Sequence, residues 1–211
     1  MGDSIDVTLV RHGRSRADDE GVHEGRYDSP LTDVGCAEAE KAGKDMLASG
    51  LICRAIIASP LQRAQSTARI LSKCLGAPLE TDSDWAEMDN GPLAGLAFDE
   101  AAIRYPKPAF RNPYERLAGS GESAWALYAR AARAVERLVQ RERGHYIVVA
   151  HGGILNAALR TVLGSVPSGN NQGVEFRFGD LGYVWLTYIP GDHRWVIREF
   201  HPGSFQSEAE S

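Results

Sequence analysis

Residues 5–13 read Ile5-Asp6-Val7-Thr8-Leu9-Val10-Arg11-His12-Gly13. The run 5–10 is β-branched and apolar, the pattern of a strand buried inside a sheet, and it stops abruptly at an arginine and a histidine. A strand that carries polar residues at its carboxyl end delivers them to the edge where open α/β sheets hold their ligands. The figure recurs twice. The run 55–58 leads into Ser59-Pro60-Leu61-Gln62-Arg63, and the run 146–150 leads into His151-Gly152-Gly153.

Helical patterns lie between and behind these strands. Thr32 or Asp33 caps a helix reaching about residue 49, with Ala37, Ala42, Met46 and Leu47 on one face and Gly50 behind it. Ser59 as cap and Pro60 as first helical residue predict a helix over 61–75, stopped by Gly76. Leu127, Ala131, Val135 and Leu138 recur at helical spacing, which predicts a helix over 122–143 ended by Gly144. A last helix is predicted over 154–163. The runs 174–178, 183–189 and 195–200 alternate as half-covered strands do and are expected to close one edge of the sheet.

This alternation predicts an α/β fold, a three-layer αβα sandwich with a mostly parallel central sheet and a small cap-like insertion. The chain is read as a single domain over 1–211. Residues 84–120 break the periodicity with Gly91, Pro92, Gly95, Pro106, Pro108 and Pro113, leaving room for one short helix near 98–105. We expect that excursion to cover the site, and the polar, acidic tail 206–211 to be disordered.

The 211 residues are 43% hydrophobic and carry a net charge of −5. No global basic field exists to hold nucleic acid or an anionic membrane, so neither is expected as a partner and any anion site must be local. Cys36, Cys53 and Cys74 lack the spacing of a zinc knuckle or redox dithiol and read as buried thiols in a reducing compartment. The apolar run 5–10 is too short for a signal segment or a span, so a cytoplasmic protein is expected. The C-terminal strands offer an edge on which a homodimer could form.

The strand ends bring two arginines and two histidines within reach of one another. Guanidinium forks bind the equatorial oxygens of a phosphoryl group bidentately, while an imidazole attacks in line. The attacking ring must be neutral, and Arg11 and Arg63 favour that state for His12. Singly, a strand-end histidine is ordinarily a hydrogen-bonding residue and an arginine a surface ion-pair partner. Two buried strands running into Arg-His-Gly and His-Gly-Gly are harder to assign to packing, because charges beside a core need partners. No histidine or cysteine spacing suggests a metal, and no cofactor is expected.

Several segments together resemble the histidine phosphatase (phosphoglycerate mutase-like) superfamily, over about residues 5–165. They are Leu9-Val10-Arg11-His12-Gly13, Asp28-Ser29-Pro30-Leu31-Thr32 with Gly35, Ser59-Pro60-Leu61-Gln62-Arg63-Ala64 with Thr67-Ala68, Gly121-Glu122-Ser123, and Val149-Ala150-His151-Gly152-Gly153. The resemblance implies that His12 is the phosphorylated nucleophile and that Arg11, Arg63 and His151 bind the phosphoryl group. Gly152, Glu24 and Gly25 are implied as further substrate contacts. Glu87 matches the acid that protonates the leaving oxygen, with Asp89 as runner-up.

Two positions depart from the family's pattern. Asp18 stands where a phosphate-facing Asn is common, and is expected to turn away or to pair with Arg14 or Arg16. Glu24 stands where Gln is frequent, which suggests altered recognition beyond the phosphate. The family's mutases follow the acid with Arg-His-Tyr-Gly, whereas Glu87 precedes Met88-Asp89-Asn90-Gly91. A metal-independent phosphatase acting on a small phosphorylated metabolite is therefore expected. A phosphoglycerate mutase or phosphotransferase, and a non-catalytic phospho-ligand-binding module, are the alternatives.

Overall fold

The computed structural model describes residues 4–205. The tail expected to be disordered, 206–211, lies outside the described residues. Six strands form one sheet: β1 (Ile5–Arg11), β2 (Cys53–Ala58), β3 (Leu79–Thr81), β4 (Gly144–Ala150), β5 (Tyr183–Ile189) and β6 (Arg194–His201). Their order is β3-β2-β4-β1-β5-β6. β1 pairs in parallel with β4 from Ile5 opposite Gly144 to Arg11 opposite Ala150, while β2 joins β4 and β3 in parallel. β5 and β6 run antiparallel at the other side. The expected mostly parallel sheet is what forms.

Helices cover both faces: α1 (Arg16–Glu20), α2 (Asp33–Ala48), α3 (Gln62–Leu75), α4 (Phe98–Arg104), α5 (Ala124–Val139) and α6 (Gly152–Val162). Alternation along the strands divides the core between them. Ile5, Val7 and Leu9 pack with Leu127 and Ala131 of α5 and with Ile154 and Leu155 of α6. Val10, Ile56 and Ile147 face Ala64, Ala68 and Leu71 of α3, with Ala42 and Met46 of α2 against them. Each fully buried Ile, Val or Leu among them contributes about 1.5–3 kcal/mol. β1 and β4 are adjacent and parallel, so Arg11-His12 and His151 leave the sheet side by side.

Several expectations need correcting. The run 174–178 is not a strand: the Asn156 side chain bonds both the N–H and the carbonyl of Phe176, and Arg11 takes the Phe178 carbonyl, so no ladder forms there. Helix α5 spans less than 122–143, because the Ser123 hydroxyl caps it at Ala126 N and Gly144 opens β4 instead of ending a helix. The short α1 and β3 had no periodicity to announce them. The three cysteines are free and half-buried, not buried.

Candidate active site

His12 follows the last residue of β1 and is 1% exposed. Its backbone is fixed from both sides, His12 N donating to Ala150 O at 3.0 Å and Leu181 N donating to His12 O at 3.3 Å. Nδ1 lies 2.8 Å from the Gly13 carbonyl, which can only accept, so the ring proton sits on Nδ1 and the lone pair on Nε2. Arg63 Nε donates to that nitrogen at 3.1 Å. Burial first, then the Arg11 guanidinium, the neighbouring His151 ring and Arg63, hold His12 well below the usual imidazole range. A neutral imidazole is a nucleophile, and the 3.7 Å approach of Glu24 to Nε2 is accordingly not an ion pair.

Arg63 stands in the first turn of α3 and is fully buried. Its Nη atoms donate to Tyr27 O at 2.8 Å and Gly25 O at 2.9 Å. Gly25 thus grips the arginine through its carbonyl. Its φ is +47°, and an added Cβ would fall 2.0 Å from the Asn90 side chain, so glycine is required. The start of α3 differs from expectation: Leu61 is the cap and Pro60 lies outside the helix. The N–H of Gln62 is satisfied instead by Asp28 Oδ1 at 2.7 Å. Ser59 Oγ is left to sit 2.7 Å from His151 Nε2.

Arg11 donates to Phe178 O at 3.1 Å and Asp18 Oδ1 at 3.3 Å, and lies 3.5 Å from Asp180. Asp18 is therefore paired, but with Arg11 instead of Arg14 or Arg16. Arg14 is taken by Asp19. Asp18 Oδ2 also accepts from Ser15 N, closing the capping box of α1.

His151 caps α6 at the tip of β4, 1% exposed, with its ring centroid 5.0 Å from that of His12. Burial, then Arg63 and Arg11, depress its basicity strongly. Nδ1 is buried without a hydrogen-bond partner, the state in which a buried polar atom is free to serve a ligand. Glu87 reaches the same corner: Oε2 accepts from Gly153 N at 2.9 Å and Oε1 from Ile154 N at 3.0 Å, at the amino end of α6. A Cβ on Gly153 would stand 2.5 Å from Oε1, which gives the second glycine of His-Gly-Gly its physical reason. Asp89 instead accepts from Gly91 N at 2.9 Å, a local turn contact.

Glu24 lies directly beside His12 and Arg63. Its Oε1 is 3.3 Å from Arg63 Nε and accepts from Ser15 Oγ, and its Oε2 is 3.7 Å from His12 Nε2. Burial, opposed by Arg11, pushes Asp180 up to about 6. A cavity of about 850 Å³ opens beside these groups, bordered by Arg11, Gly152 and Gly153 and walled by Lys107, Arg111 and Phe176.

Reading by residue type did not single out Arg130, which is 7% exposed on α5. It binds Glu122 at 3.0 and 2.8 Å and donates to the carbonyls of Asp84, Ala86 and Glu87, anchoring the segment that carries Glu87. The signal was available: an arginine beside Ala131 on the apolar face of the helix, downstream of Glu122. Asp180 sits in a loop without periodicity and gave no such signal.

Among the described residues no group of three or more His, Cys, Asp or Glu is placed to hold a metal, and no helix is long and apolar enough to cross a membrane.

Known proteins resemble this chain in sequence and fold. The chain is 35% identical over 184 residues to a 2,3-bisphosphoglycerate-dependent phosphoglycerate mutase of Methylobacterium sp. (strain 4-46), covering 82% of this chain and 87% of that one. It is 30% identical over 200 residues to phosphoglycerate mutase-like protein 4 of Arabidopsis thaliana, covering 90% and 86%. Among solved structures, Bacillus stearothermophilus YhfR superposes with a TM-score of 0.80 at 24% identity, covering 96% of this chain and 98% of that one. A mycobacterial glucosyl-3-phosphoglycerate phosphatase gives 0.76 at 21%, covering 95% and 100%. At these identities the structural likeness concerns the fold. The sequence pattern of the histidine phosphatase superfamily (branch 1) matches residues 7–200, and this protein belongs to that family.

Proposed function

We propose that this protein is a metal-independent phosphatase that hydrolyses a phosphate monoester of a small metabolite in the cytoplasm, through a phosphohistidine on His12. The observation that carries the reading is His12 itself, buried and neutral, with Nδ1–H spent on the Gly13 carbonyl and Nε2 turned to Arg63. Nε2 attacks phosphorus while Arg11, Arg63 and His151 Nδ1 stabilise the charge spreading over the equatorial oxygens. The ester P–O bond breaks, and Glu87 gives its proton to the departing alkoxide. Water then attacks the phosphohistidine, its proton passing to Glu87 as the P–N bond breaks and the lone pair returns to Nε2. Gly25 acts by holding Arg63, and Gly152 lines the cavity in which the leaving group would lie. Residues 84–120 deliver Glu87 and, with the rest of 1–211, form one functional unit.

The purified protein with para-nitrophenyl phosphate and a chelator tests this. Turnover that His12→Ala abolishes is expected; full turnover in that variant removes the nucleophile. A mutase is the second reading, favoured by the mutases among the relatives. Isomerisation of phosphoglycerate outpacing phosphate release would establish it; phosphate release without isomerisation is expected.

A further inference from the structure

Around His12 Nε2, the space a transferred phosphoryl group needs already contains a carboxyl group. Glu24 Oε2 lies 3.7 Å from Nε2, and Oε1 lies 3.3 Å from Arg63 Nε. The Glu24 side chain is 18% exposed, so water does little to screen it. A phosphoryl oxygen on Nε2 that also touches Arg63 must come within contact of this group. An ionised Glu24 there would repel a dianion in a site sheltered from solvent, where such repulsion is strong.

The partners of Glu24 divide its two oxygens. Oε1 accepts from the buried Ser15 hydroxyl and faces Arg63 Nε, both of them donors. Oε2 faces Nε2 and the ligand space, the position from which a proton could be offered. We propose that Glu24 works as a neutral carboxylic acid that donates a hydrogen bond to the phosphoryl group, so that anion binding at this site takes up one proton. This rests on the phosphate site of the proposed function but not on turnover.

The charges around it support the reading. His12 and Arg11 face Glu24 from β1, Ser15 and Asp18 from α1, and Arg63 from α3. His151 stands behind His12 on α6, and Asp180 lies against Arg11 from the loop before β5. The two histidines are held neutral, so the permanent cations are Arg11 and Arg63, facing the carboxyls of Asp18, Glu24 and Asp180. Two cations cannot neutralise three carboxylates and a dianion together. Burial, with repulsion from Asp18, raises Glu24 against the pull of Arg63, and Glu24 is the raised carboxyl that stands against His12 Nε2, whereas Asp180, raised to about 6, lies behind Arg11.

Sulfate is the probe, since its own charge is constant across neutral pH. Calorimetry in two buffers of different ionisation enthalpy is expected to show uptake of about one proton per sulfate by the wild-type protein above the Glu24 titration, with affinity falling about tenfold per pH unit there. Glu24→Gln keeps a donor and has no titration, so above the Asp180 titration near 6 its sulfate affinity should stay flat with pH and exceed that of wild type at the alkaline end. Glu24→Ala should be flat and weaker. A Glu24→Gln profile parallel to wild type overturns the proposal, as does Ala binding as tightly as Gln. Absence of proton uptake by the wild-type protein overturns it whatever the variants do. Failure of the phosphohistidine reading would appear separately, as turnover surviving in His12→Ala while sulfate binding remained pH-linked.

Discussion

A single methyl group tests the placement of Glu87. In Gly153→Ala the new carbon would lie 2.5 Å from Glu87 Oε1 and 3.1 Å from its Cδ. Carbon contacts are comfortable at about 3.5 Å, so the carboxyl group must retreat by on the order of 1 Å. It then loses the N–H bonds of Gly153 and Ile154, now 2.9 and 3.0 Å long. A hydrogen bond of this kind contributes about 0.5–1.5 kcal/mol net. The helix meanwhile gains about 0.5–1 kcal/mol from losing a glycine. With two bonds lost, net stability should therefore fall by no more than about 2.5 kcal/mol, a melting shift of at most about 10 °C for a chain of this size. Chemistry should suffer more, since a misplacement of about 1 Å in a reacting group costs about 10²-fold. The assay is kcat/KM for an alkyl phosphate beside para-nitrophenyl phosphate, whose weakly basic phenolate departs without help. The alkyl ester should lose about 10²-fold and the aryl ester little. An equal loss on both, or none on either, would refute Glu87 as the proton donor.

Other consequences can be checked directly. Ser59→Ala leaves His151 with neither ring nitrogen bonded to protein; we expect a loss of about 1–3 kcal/mol in urea titration and a lower kcat. Arg130→Met strands Glu122 and three backbone carbonyls; it should cost about 3–5 kcal/mol, and adding Glu122→Gln should recover part of that. Acid stability follows from opposed titrations. His12 and His151 are neutral when folded and protonated when unfolded below about 6.5, so their contribution is lost as pH falls from there toward their depressed folded values. Asp180, raised to about 6, adds stability as pH falls through that value toward its unfolded range. Melting temperature against pH should accordingly drop more steeply on the acid side in Asp180→Asn than in wild type, and parallel curves would contradict the assignment.

Much of the site was legible because strand-end residues announce themselves. The apolar runs before Arg11-His12 and His151 end sharply, and the parallel pairing of β1 with β4 turns that sequence feature into adjacency in space. What escaped depends on non-local partners. Nothing in Ser59-Pro60 shows that the hydroxyl faces a histidine far along the chain instead of capping its own helix, since Asp28 supplies the missing acceptor from another loop. The run 174–178 has the alternation of a strand, yet its backbone groups are claimed by the Asn156 and Arg11 side chains. Asp18 and Glu24 were visible as departures, but their distances to Arg11 and Arg63 follow from the path of the 15–29 segment across the sheet tips, which periodicity does not encode.

The order β3-β2-β4-β1-β5-β6 also bears on how the chain comes to be folded. The strand made first takes a central place, yet both its neighbours lie in the second half of the chain. At ribosomal speeds of roughly 5–20 residues per second, that leading strand waits on the order of ten seconds before β4 can emerge to meet it. Its Val7, Leu9 and Val10 must stay out of other associations during that interval. The topology that sets His12 beside His151 thus predicts a slow, late-closing nucleus, and a nascent protein dependent on holding chaperones until the fourth strand is made.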